Sequence, residues 1–225
     1  MERMTLAQLV TDLPGASEVF LRFGLDFCCR GQRTLAEACR EGGQDAREVL
    51  AALSEPPVGQ ARGGGLADLP LSELVGHVLE RYHAPLRREL PALRALALRV
   101  EEVHAGRPAC PSGLAALLER VEAAVEQHLA KEEQILFPAI LAGRGDTAHM
   151  PIKVMMQEHE DHGANLRRIR ELTRGLEPPA EACPSWRELY RGLARLEAEL
   201  FSHIHLENYV LFPRALAGEG ARRRP

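Results

Sequence analysis

His203-Ile204-His205-Leu206-Glu207-Asn208-Tyr209-Val210-Leu211-Phe212-Pro213 decides how the rest of the chain is read, because His128-Leu129-Ala130-Lys131-Glu132-Glu133-Gln134-Ile135-Leu136-Phe137-Pro138 repeats its skeleton. Each copy has a His, a Glu four residues on, and an apolar run closing in Leu-Phe-Pro. Positions i and i+4 of an α-helix lie on one face, a turn apart. Each copy therefore offers an imidazole and a carboxylate pointing the same way, and two such pairs facing each other can hold two metal ions.

Working outward, residues 69–218 read as four long helices. Their apolar stripes run from Leu71 to Val100, from Leu114 to Ile135, from Ile152 to Ile169 and from Leu189 to Val210, in steps of three and four. Loops at Gly106-Pro108, Gly143-Asp146 and Glu177-Pro184 separate them, and loops this short favour an up-down-up-down bundle. Pro85 and Pro91 fall inside the first helix, where a bend or break is expected. The Leu-Phe-Pro runs are read as packing plus a helix terminus.

Residues 1–57 form a small helical N-terminal unit. Leu6, Leu9, Val10 and Leu13 recur at helical spacing, Pro14-Gly15 interrupts them, and Val19, Phe20 and Phe23 resume the pattern. Thr34 with Glu37 three residues on is a helix-start signature. The Pro- and Gly-rich stretch around residues 58–68 is the linker, and residues 219–225 are a tail. A unit this small buries little by itself, so pairing of two chains into a homodimer through it is expected. The fold class is all-α.

The chain has 225 residues and a net charge of -4, so neither nucleic acid nor an acidic membrane surface is an expected partner. No apolar stretch is long enough to span a membrane. Five cysteines, an odd number without a spaced framework, fit a reducing cytoplasm.

His128, Glu132, His203 and Glu207 interrupt the apolar stripes of their helices, where a carboxylate needs a cation. The other two helices add one polar interruption each. His83 lies 45 residues before His128, and His159 lies 44 before His203. Ala109-Cys110-Pro111-Ser112 recurs as Ala182-Cys183-Pro184-Ser185, so the bundle reads as two repeated helical hairpins. Four imidazoles and two carboxylates exceed what one tetrahedral zinc needs. They suit two ions of iron or manganese, with bridging carboxylates and two His on each. His162, three residues from His159, is the competing choice. His159 is preferred because it continues the stripe from Met155 to Leu166. His205 points away from the cluster. His77, His104 and His149 read as surface, helix-end or outer residues, Glu133 as solvated, and Glu158 and Glu160 as incidental neighbours.

Cys28-Cys29 admits three readings: a redox pair, a metal site, or buried small hydrophobes. Its place in a turn bounded by Gly24 and Gly31 favours exposure.

Together these residues resemble a known family. The C-terminal two thirds look like a hemerythrin-like domain. The whole chain resembles the iron–sulfur cluster repair di-iron proteins, the RIC family with its YtfE and ScdA branches. The residues that carry the likeness are Asp26-Phe27-Cys28-Cys29 with Gly31, Glu80-Arg81-Tyr82-His83, His128 to Pro138, Glu158-His159 and His203 to Pro213. The resemblance implies a hemerythrin-like four-helix bundle holding two non-haem iron ions per chain, oxo- and carboxylate-bridged, on His83, His128, Glu132, His159, His203 and Glu207. It implies donation of iron to iron–sulfur proteins damaged by nitric oxide or oxidants, and makes Cys28 and Cys29 candidates for redox or iron transfer. Reduction of nitric oxide to nitrous oxide at the same centre, and sensing of oxygen or nitric oxide, are the competing functions.

Overall fold

The computed structural model describes residues 1–55 and 66–219. The expected linker lies almost wholly outside the described residues, and so does the tail beyond residue 219. Four short helices come first: α1 (Leu6–Asp12), α2 (Ala16–Arg22), α3 (Leu35–Gly42) and α4 (Ala46–Ser54). Capping boxes start α1 and α3. Thr5 pairs with Gln8, and Thr34 with Glu37 as the sequence signature predicts, each satisfying backbone N–H groups that a helix start leaves open.

The bundle follows. Its first helix comprises α5 (Leu71–Val78), a π turn (Leu79–His83) and α6 (Ala84–Val103). The second comprises α7 (Leu114–Lys131), a π turn (Glu132–Leu136) and α8 (Phe137–Leu141). The third is the uninterrupted α9 (His149–Leu172). The fourth comprises α10 (Pro184–Leu206), a π turn (Glu207–Leu211) and α11 (Phe212–Leu216). The first helix packs beside the second and fourth, and the third closes the ring.

The π turns have a sequence cause. Pro85, Pro138 and Pro213 lack an N–H, and in an α-helix their rings would meet the carbonyl four residues back. Opening the ladder to a five-residue reach relieves that clash. The N–H groups of Ala84, Phe137 and Phe212 accordingly bond Leu79, Glu132 and Glu207. The Leu-Phe-Pro runs thus mark a widened turn with helix continuing beyond it, not the terminus read from the sequence. The break expected near Pro85 is one of these turns, whereas α6 runs on through Pro91. The wider register also carries Ile135 off the stripe assigned to it, and it is 59% exposed.

Buried side chains form two apolar clusters. One joins Leu86, Leu129, Leu166 and Leu200 of the bundle to Leu6, Phe20, Phe27 and Val49 of the N-terminal helices. The other gathers Val78, Tyr82, Phe137, Met155, Val210 and Phe212. On each bundle helix the expected ligands lie where one cluster gives way to the other. The N-terminal unit buries its apolar face on the bundle of the same chain. Phe27 is fully buried, with its ring centroid 6.1 Å from Phe20 and 5.6 Å, edge-on, from Phe201. Burying a side chain of that size stabilises by about 2–3 kcal/mol. Because Phe27 is driven inward, Cys28 goes with it and is fully buried, contrary to the exposure expected of the turn. Cys29 is half-buried.

Candidate metal centre

All six expected ligands meet between the two apolar clusters, each at most 2% exposed. His83, Glu132, His203 and Glu207 form one group, and His128, Glu132, His159 and Glu207 the other, so the two carboxylates belong to both. The imidazoles pair across the hairpins. His83 and His203 turn Nε2 toward Nε2 at 3.3 Å, and His128 and His159 do the same at 3.2 Å. Two nitrogens each about 2.1 Å from one cation, at an angle near 100°, stand about this far apart.

The carboxylates reach both pairs. Glu207 sets Oε1 3.0 Å from His203 Nε2 and Oε2 3.2 Å from His159 Nε2. Glu132 sets Oε2 3.4 Å from His83 Nε2 and 3.5 Å from His128 Nε2. Neither oxygen of Glu132, nor Oε2 of Glu207, has a hydrogen-bond donor. A buried, unpaired carboxylate costs several kcal/mol. Burial and then the neighbouring Glu207 charge push Glu132 well above the usual carboxylate range. Burial opposes ionisation of Glu207 too, but His203 and His159 together hold it well below that range. Burial, then His159, pushes His128 well down, leaving a neutral imidazole able to ligate. The donor set fits a pair of cations of the iron and manganese kind.

Partners outside the cluster fix the rings. His83 Nδ1 donates to Glu133 at 2.8 Å, and Arg87 holds the same carboxylate at 2.7 Å. His128 Nδ1 donates to Glu158 at 3.0 Å, and Lys131 also holds Glu158. His159 Nδ1 donates to Asn208 Oδ1 at 2.8 Å, while Asn208 Nδ2 donates to the Cys28 carbonyl at 3.0 Å. An acceptor at Nδ1 leaves the Nε2 lone pair for a metal and raises its basicity. His203 lacks such an anchor; its ring lies parallel to Tyr82, centroids 5.1 Å apart. Phe137 and Phe212 of the repeated runs stack on His83 and His159 at 5.7 and 6.0 Å.

Several sequence readings change here. Glu133 and Glu158, taken as solvated and incidental, are the hydrogen-bond partners of His83 and His128. Nothing in apolar periodicity marks them, because both sit just off the stripe. Glu160 is not part of the cluster. His162 is buried beside His128, rings perpendicular at 5.0 Å, with neither nitrogen hydrogen-bonded. It lies outside both groups, and burial pushes it down to about 3. His205 does turn away, but into the N-terminal unit rather than solvent. There it meets Thr11 Oγ1 at 3.3 Å and Phe27. His104 is buried against Trp186 and donates to the Val100 carbonyl. His77 is half-buried beside Tyr82, and His149 is exposed.

The Cys28-Cys29 turn is fastened to this centre. Cys29 Sγ lies 3.3 Å from the His159 carbonyl oxygen, and the Gly31 N–H donates to the Tyr209 hydroxyl at 2.9 Å. A Cβ on Gly31 would stand 2.3 Å from the Phe27 carbonyl oxygen and 2.9 Å from that hydroxyl, so only glycine fits. Burial, then Cys29, pushes the Cys28 thiol well up.

Two family models match the chain. A family model described as the hemerythrin HHE cation binding domain matches residues 75–215. A second model, ScdA_N, described as a domain of unknown function, matches residues 2–56. The iron-sulfur cluster repair protein YtfE of Musicola paradisiaca is 42% identical over 215 residues, covering 96% of this chain and 97% of the relative. Those of Citrobacter koseri and Escherichia coli O157:H7 are each 42% identical over 217 residues, covering 95% and 97%. No described helix is long and apolar enough to cross a membrane.

Proposed function

The chain belongs to the YtfE family of iron–sulfur cluster repair proteins, and from that membership and the six-residue cluster we propose that it carries iron to damaged iron–sulfur proteins. His83 and His203 would hold one iron and His128 and His159 the other, with Glu132 and Glu207 bridging. The observation that carries the reading is the sharing of both carboxylates between the two groups. It gives each ion two imidazoles and access to two carboxylates, and leaves coordination positions for an oxo bridge or a small molecule such as nitric oxide or oxygen.

Iron here is cargo, so the residues must hold it and also release it. Carboxylates change binding mode more readily than imidazoles, and a bridging Glu that withdraws from one ion opens that ion first. His203, with no acceptor at Nδ1, is the least restrained of the four histidines, so its ion, shared with His83, is the more labile. The unpaired set of five cysteines supports work in a reducing compartment.

The test is transfer. Reduced, iron-loaded protein is added anaerobically to an enzyme whose cluster has been damaged by nitric oxide. Activity should return faster than with ferrous iron buffered to the same free concentration. Equal recovery from the buffered iron would refute the proposal.

A further inference from the structure

Asp26, Cys28 and Cys29 form a third group of metal-ligating atoms, all within 4.8 Å of one another and outside the six-residue cluster. The two Sγ atoms stand 3.5 Å apart, and Cys28 Sγ lies 3.4 Å from Asp26 Oδ1. A disulfide needs about 2.05 Å. A tetrahedral cation about 2.3 Å from each sulfur needs about 3.8 Å between them, close to what is seen. Asp26 Oδ1 accepts the N–H groups of Cys29 at 3.0 Å and Arg30 at 3.4 Å, which fixes the carboxylate against the turn. Its other oxygen, Oδ2, is buried and accepts no hydrogen bond; Arg167 Nη1 stands 3.7 Å away.

The group lies between the surface and the ligand histidines. Asp26 lines a cleft of about 290 Å³ together with Glu41, Arg30, Arg33 and Arg167. On the inner side, Cys29 Sγ touches the main chain of His159, and a Cβ on Gly163 would stand 3.4 Å from that sulfur, so α9 runs close beneath the turn.

We propose that Asp26, Cys28 and Cys29 bind one divalent transition-metal cation, separate from the His and Glu cluster, through two thiolates and a carboxylate. Binding releases both thiol protons to solvent and changes no oxidation state. Three protein ligands leave a fourth position open, which suits a site that takes a cation up and passes it on. The binding claim stands independently of the iron-carrier reading. Service as a staging point for iron rests on it.

Cobalt(II) is the probe. It is titrated anaerobically into iron-loaded, full-length protein while iron content is assayed separately, so the two readings can fail independently. The expected result is a thiolate-to-cobalt charge-transfer band saturating at one equivalent, with iron content unchanged. The band should lose at least half its intensity in Cys29→Ser and in Cys28→Ser, where one thiolate remains, and Asp26→Asn should weaken cobalt binding at least tenfold. Should Cys28→Ser lose its helical circular dichroism, Cys29→Ser and Asp26→Asn decide. Absence of the band in wild type would overturn the site. So would a band of undiminished intensity in Cys29→Ser, where Cys39, Cys110 or Cys183 would be holding the cobalt, or wild-type affinity in Asp26→Asn.

Discussion

His159 donates its Nδ1 hydrogen to Asn208 Oδ1 at 2.8 Å, and the orientation of that amide is fixed by its second bond, to the Cys28 carbonyl. One side chain therefore sets the tautomer of His159 and ties the cysteine turn to it. Asn208→Ala should fold, keep its iron at saturation, and lose about tenfold or more in iron affinity. Competition against a ferrous chelator measures this; unchanged affinity would mean that Phe212 stacking alone orients His159.

Glu133 and Glu158 anchor one imidazole of each pair. Glu133→Gln and Glu158→Gln keep the shape but weaken the acceptor. Each should speed iron release to a chelator about tenfold. Glu133→Gln should act on the ion held by His83 and His203, and Glu158→Gln on the other. Two release phases, with a different one accelerated in each variant, are the expected result.

His162 fills buried space while neither nitrogen is paired. An unpaired buried polar group costs about 1–3 kcal/mol. His162→Leu should leave iron content unchanged and raise stability by about 1 kcal/mol in urea titration. A loss of stability, or of iron, would give that imidazole a role the geometry does not assign it.

Burial pushes His205 down to about 4, against about 6.5 in an unfolded chain. Between those values the unfolded state binds the extra proton, so stability falls as pH drops through about 6.5 and levels off below about 4. The loss between pH 7.5 and pH 5 from this one residue is about 2 kcal/mol. His205→Leu should shed that part of the acid dependence, at the cost of the Thr11 contact near neutrality. Urea titrations at the two pH values compare the slopes; equal slopes would show that His205 does not couple the N-terminal unit to pH.

The parts of this molecule legible in the sequence are those that obey a period. Carboxylates at i+4 from histidines on apolar stripes marked four of the six clustered residues, single polar interruptions at matching spacing marked His83 and His159, and the recurrence of the pattern marked the two hairpins. What escaped lies where the period is broken. Pro138 and Pro213 open π turns, and that extra reach moves Ile135 to the surface. Glu133 and Glu158 stand one position off the stripe and find their histidines only once the helices pack. The burial of Cys28 depends on Phe27 docking against Phe201, a contact between residues far apart in the chain.

The central claim is a pair of iron ions sharing Glu132 and Glu207. The most direct test is iron content per chain after anaerobic purification, for wild type and for Glu132→Ala and Glu207→Ala. Two irons in wild type and loss from both variants, with helical content kept, is the predicted result. One zinc, no metal after reconstitution with iron, or two irons retained without either carboxylate would contradict the account.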